Sequence, residues 1–240
     1  MRKIGIILAA LACVTSMAFA AQAAVGSGGE DMKGQFAIGA TGGLAMPMGK
    51  LGEKIDLLAE TTTDEGLGGA DMKMGTAFGA HVDYFITKEF AIGLDASYVT
   101  MSMNDQTILG TTYKDLVKAK TMQFGVHGKY FVPTGGPLVP YLSLGAGMYS
   151  RKLELSNDFQ QGMDVTESEF TDSKPGVNAG VGIEYKVNPM FGIGASGIYN
   201  AAMGKFKHDF GSGTEETVLK DWTYTTFSVA LTYHIPMAKK

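Results

Sequence analysis

The chain has 240 residues, of which 33 are glycine, 45% are hydrophobic and 18% are charged, with a formal net charge of −4 at pH 7. An acidic balance disfavours a nucleic-acid partner, which calls for a basic patch. Beyond the N-terminal stretch no apolar run approaches the roughly 20 residues of a membrane-crossing helix, so a helical membrane protein is excluded and a β protein, soluble or transmembrane, remains.

Arg2 and Lys3 precede the apolar run Ile4–Ala12, and Ala18-Phe19-Ala20 and Ala21-Gln22-Ala23 offer small-x-small cleavage sites. The pattern predicts a secretory signal peptide over residues 1–23. The run is too short for an anchor, and Ala10 stands where a lipoprotein site at Cys13 would have leucine. Loss of Arg2 and Lys3 takes the net charge from −4 to −6. Loss of Cys13 leaves an exported chain whose stability owes nothing to disulfides. Residues 24–34 read as a linker, 35–235 as a transmembrane β-barrel and 236–240 as a C-terminal tail.

Eight segments alternate with period two. They run from about Gln35 to Met46, Thr76 to Ile86, Phe90 to Thr100, Lys120 to Val132, Leu138 to Ser150, Gly176 to Val187, Met190 to Asn200 and Tyr224 to Ile235. One face of each is apolar, as in Phe78, Ala80, Val82, Tyr84 and Ile86. The opposite face is small or polar throughout, as in Asn178, Gly180, Gly182, Glu184 and Lys186. Thr87-Lys88-Glu89, Pro133 to Pro137 and Asn188-Pro189 are tight turns. The connections Pro47–Gly75, Met101–Ala119, Arg151–Pro175 and Ala201–Thr223 are long, with one or two helical turns expected over Leu51–Glu60. Short and long connections alternate without exception, the pattern of an antiparallel up-and-down barrel with tight periplasmic turns and four large extracellular loops.

A soluble barrel of the lipocalin type also has eight strands, but three features oppose it. Glycine dominates the non-apolar face, weakening an exposed strand while making room in a narrow lumen. Phe36, Tyr84, Phe90, Tyr130, Tyr185, Phe191 and Tyr233 all fall at the short-turn end, as an aromatic girdle at a membrane interface does. The segments also have the length that crosses a bilayer at a tilt.

The stretches Gly43-Leu44-Ala45-Met46-Pro47, Pro140 to Gly147, Gly180-Val181-Gly182-Ile183-Glu184-Tyr185 with Asn188-Pro189, and the last strand resemble the small outer-membrane β-barrel family that includes the OmpA barrel domain, OmpX and OmpW. The resemblance implies insertion by the barrel-assembly machinery, which reads a last strand such as Phe227, Val229, Leu231 and Tyr233. Here Ile235 replaces the usual terminal aromatic and residues 236–240 extend beyond it. Outer-membrane lipid and lipopolysaccharide are the implied partners, with no cofactor.

The inward face gathers His81, Asp83, Asp95, Gln123, His127, Lys129, Tyr141, Glu184 and Lys186. Imidazole and carboxylate groups suit a metal, but buried charges must be paired, so a salt-bridge network filling the lumen is the expected arrangement. Parity places Asp95 opposite either Asp83 or His81. A lipid-modifying enzyme needs a Ser with a His in reach; His208 has only Ser212 near it in sequence, so no catalytic pair is expected. The favoured function is a structural or surface-interaction barrel. A narrow channel for small or apolar compounds is the alternative that the resemblance to OmpW implies, and a lipid-modifying enzyme ranks last.

Overall fold

A computed structural model describes residues 32–51, 72–103, 106–108, 111–113, 117–155, 169–204, 206–209, 215–219 and 222–235. The signal peptide, most of the linker and the tail lie outside these residues. Eight long strands form the body: β1 (Phe36–Met48), β2 (Gly75–Phe85), β3 (Phe90–Ser102), β4 (Val117–Phe131), β5 (Leu138–Leu155), β6 (Glu169–Lys186), β7 (Phe191–Ala202) and β8 (Trp222–Ile235). Each pairs antiparallel with its neighbours in sequence, and β1 pairs with β8 to close the barrel. No sheet edge is left in the ring, which removes the usual liability of an unpaired strand.

Local chemistry fixes the short turns. Thr87 Oγ1 accepts the backbone N–H of Phe90 at 3.0 Å, and Asn188 Oδ1 accepts those of Met190 and Phe191, both at 2.9 Å. Between β4 and β5 the Thr134 hydroxyl donates to the Leu138 carbonyl at 2.6 Å, and Gly135 takes φ +70°, a conformation that favours glycine.

The two strand faces meet different surroundings. Outward side chains form an uninterrupted apolar surface, with Leu94 63% and Leu144 69% exposed. Such a belt around a closed ring is stable only against lipid. The soluble-barrel alternative would need these side chains inside.

The strands run further than their alternation in sequence indicated. β5 and β6 are 18 residues each, so residues assigned above to long connections, Arg151 among them, belong to the barrel wall. The reason is an inversion of polarity. In the membrane band apolar side chains point out and polar ones in. Nearer the loops Lys118, Lys120, Lys152 and Glu154 point outward while Val117, Ala119 and Leu153 are buried inside. The alternation continues, but its sense reverses where the outer medium changes from lipid to water. Within the first loop the described residues show one 3-10 turn, Gly49–Leu51; the rest of the expected helix lies outside them. Two small hairpins, Gln106–Ile108 with Thr111–Tyr113 and Phe206–Asp209 with Glu215–Leu219, stand in other loops.

Candidate functional site: the barrel lumen

The lumen is layered. At the short-turn end Phe85 from β2 and Phe131 from β4 meet across it with ring centroids 5.2 Å apart. Tyr141 stacks on Phe131 at 5.4 Å, and Met32, Ala37 and Ala91 complete an apolar floor.

Above the floor lies the polar layer. His127 Nε2 is 2.6 Å from Asp83 Oδ1 and its Nδ1 is 3.0 Å from Asp95 Oδ1. Lys129 Nζ donates to Asp83 Oδ2 at 2.8 Å. Gln123 donates to Asp95 Oδ2 at 2.9 Å and accepts from the Ser97 hydroxyl at 3.1 Å. His81 opposes Asp95 in register, one of the two pairings expected, and its Nε2 is 3.7 Å from Asp83. Both ring nitrogens of His127 face carboxylates, so with both carboxylates ionised both contacts are hydrogen bonds only when each nitrogen carries a proton. The imidazolium and Lys129 then balance Asp83 and Asp95, the condition for charges to remain in a water-poor interior.

Glycine makes this packing possible. A Cβ on Gly182 would lie 2.7 Å from Tyr141 Cε1, and one on Gly192 would lie 2.7 Å from Glu184 Oε1. Each large inward group thus lies flat over a neighbouring strand's glycine.

The inward residues expected from the sequence do not all join one cluster. His81, Asp83, Asp95, Gln123, His127 and Lys129 converge. Tyr141 joins through its ring, 5.7 Å below Lys129 Nζ. Glu184 pairs instead with His234 of β8 at 2.8 Å, a buried histidine on the inward face. Lys186 lies with its Nζ 2.7 Å from the Met32 sulfur. Among the described residues no group of three His, Cys, Asp or Glu side chains converges as metal ligands. His208 lies in a loop hairpin, and Ser212 falls outside the described residues. The seven girdle aromatics all point outward at the short-turn end, between 38% and 50% exposed. Phe36 packs on Tyr84 at 4.9 Å and Phe191 on Tyr233 at 5.1 Å.

The loop-end layer is apolar, against the expectation of a polar lumen throughout. Trp222, Tyr149, Tyr224, Met101 and Met103 are fully buried there. Trp222 reaches across from β8 to β4, its indole N–H donating to Thr121 Oγ1 at 2.9 Å. The Arg151 guanidinium lies 5.6 Å over the indole and donates to Asp172 at 2.6 Å. The available signal was parity: counting back in steps of two from Thr226 puts Tyr224 and Trp222 inside. Between the two apolar layers a cavity of about 100 Å³ remains, lined by hydroxyl, amide and charged side chains together with alanines and Ile198. That is room for a few waters.

A closed eight-stranded ring with a lipid-facing apolar belt and a filled lumen defines a small outer-membrane β-barrel. A family model described as the outer membrane protein beta-barrel domain matches residues 6–234; the chain belongs to that family. OprG from Pseudomonas aeruginosa superposes with TM-score 0.60 at 14% identity, over 85% of this chain and 97% of that one. Neisserial surface protein A does so with TM-score 0.52 at 16% identity, over 87% and 98%. No curated protein matches the chain. OprG, like the family, is described as an outer membrane protein.

Proposed function

We propose that the protein is a closed-lumen barrel of the outer membrane whose work is done by its surface and loops, not by conduction or catalysis. The observation that carries this reading is the sealing of one polar layer between two apolar ones. A hydrated ion moving through would have to displace the Phe85–Phe131 stack at one end and the Trp222 cross-brace at the other. An eight-stranded ring is only wide enough for its own side chains, and the charges between the seals are already paired.

The test is purified protein in a planar bilayer. The wild type should show no stable conductance steps. Trp222→Ala combined with Phe131→Ala, which thins both seals, should give brief, small openings. Regular porin-sized steps from the wild type would overturn the closed-lumen reading and put the channel first.

A further inference from the structure

Six of the chain's 15 methionines form three Met-x-Met pairs: Met46-Pro47-Met48, Met72-Lys73-Met74 and Met101-Ser102-Met103. All three pairs lie at or just beyond the loop ends of consecutive strands, β1, β2 and β3. Strand pairing brings three of the sulfurs together. Met72 and Met103 are antiparallel bridge partners, which sets their Cα atoms about 5 Å apart. Met101 shares the face of Met103 on β3, about 6.6 Å away along the strand. These three are buried, at 5%, 1% and 0% exposure for Met72, Met101 and Met103, in the loop-end apolar layer with Trp222, Tyr149 and Tyr224. Met46 and Met74, by contrast, are 39% and 59% exposed.

A flexible thioether specifies a packed core poorly, and leucine fills nearly the same volume. What methionine adds is sulfur, a neutral and polarizable ligand that selects Cu(I) over the hard cations Mg(II) and Ca(II). Zinc takes cysteine, histidine or carboxylate, and among the described residues no trio of those converges. Two sulfurs on one strand and a third directly across from one of them mark a triangle that long side chains can draw around one ion. A monovalent ion brings the least charge into a layer with little water. Tyr224, in the same cluster, has a buried hydroxyl without a hydrogen-bond partner among the described residues. That leaves an oxygen lone pair in the layer to offset positive charge.

We propose that Met72, Met101 and Met103 form a thioether site for a soft monovalent metal ion of the Cu(I) class, with Ag(I) as its redox-inert probe. The site lies in the loop-end seal but does not depend on whether the lumen conducts. Trp222, the chain's single tryptophan, is buried in the same cluster and serves as the reporter. The test titrates silver nitrate into the detergent-solubilised full barrel in chloride-free buffer and follows tryptophan fluorescence. The wild type should be quenched to saturation by one equivalent, equally at pH 5 and pH 7, because a thioether has no proton to release. X-ray absorption at the silver edge should show a shell of sulfur. Met101→Leu with Met103→Leu, which keeps the core volume, should weaken binding by at least about tenfold while the barrel still migrates faster before heating than after. Met72→Leu tests the same site through one change if the double variant does not close its ring. Met46→Leu with Met74→Leu, at the exposed sulfurs, should leave the affinity unchanged. Unchanged affinity in the inward variants, a loss confined to the exposed pair, or a shell of nitrogen and oxygen would overturn the proposal.

Discussion

Asp83 accepts from two charged donors at once, through different oxygens, while its side chain is only 3% exposed. Asp83→Asn keeps the shape but leaves Lys129 and the His127 imidazolium without their shared counter-charge. Breaking a buried pair in this way costs about 3–5 kcal/mol, read as a lower urea midpoint for unfolding from detergent. Asp95→Asn should cost less, because its side chain is 21% exposed and one of its two donors is the neutral Gln123 amide. Glu184→Ala isolates His234 and should destabilise the barrel without opening it. Outside the membrane band, the hydrogen bond from Lys120 holds the Glu154 carboxyl below the usual carboxylate range, helped by Lys152. A lowered folded-state value means stabilisation that is present above the ordinary glutamate value and lost as pH falls through the lowered one. The Lys120–Glu154–Lys152 ladder should therefore hold at neutral pH and loosen below the ordinary glutamate range, with Lys152 to Glu154 contacts in NMR spectra as the readout. The inward placement of His81, Asp83, Asp95 and His127 was legible because parity needs only local sequence. Which charges meet was not, because His127 reaches Asp83 past the intervening strand β3, and Glu184 meets His234 across β7; that depends on barrel radius and tilt.

At the scale of the strand, β5 shows why part of the wall was hidden in the sequence. From Leu138 to Met148 its even positions are apolar and face lipid, while Lys152 and Glu154 at the same parity face water. A search for one apolar face ends at Ser150, although the hydrogen-bonded ladder continues to Leu155. The same inversion concealed Trp222 at the start of β8. Substitution should register the boundary. Leu144→Arg, in the middle of the lipid belt, should cost about 2–4 kcal/mol. Thr171→Arg, on the same outer surface but level with Lys152, should cost little. Equal costs, measured by equilibrium unfolding into detergent micelles, would mean that the lipid boundary lies elsewhere.

For the whole molecule, closure, the alternation of short and long connections and the outer belt were all readable from one chain, because each follows from period-two patterning and turn chemistry. The apolar loop-end seal was not, since its residues come from strand ends scattered through four connections. The intact ring should migrate faster on gels before heating than after, a shift that a soluble periplasmic protein would lack. The seam has a consequence for how the ring comes to exist. β1 and β8 pair along their full length, from Phe36 with Ile235 to Met48 with Thr223, so the ladder that completes the ring joins the two ends of the sequence. Such a contact is the most distant the chain can make, and distant contacts are reached slowly. Until it forms, every partial sheet carries two unpaired edges in a medium that cannot solvate them. Assembly is thus all-or-none at its last step. A chain ending before Trp222 should not settle as a seven-stranded ring but remain an open sheet that pairs with other copies and aggregates.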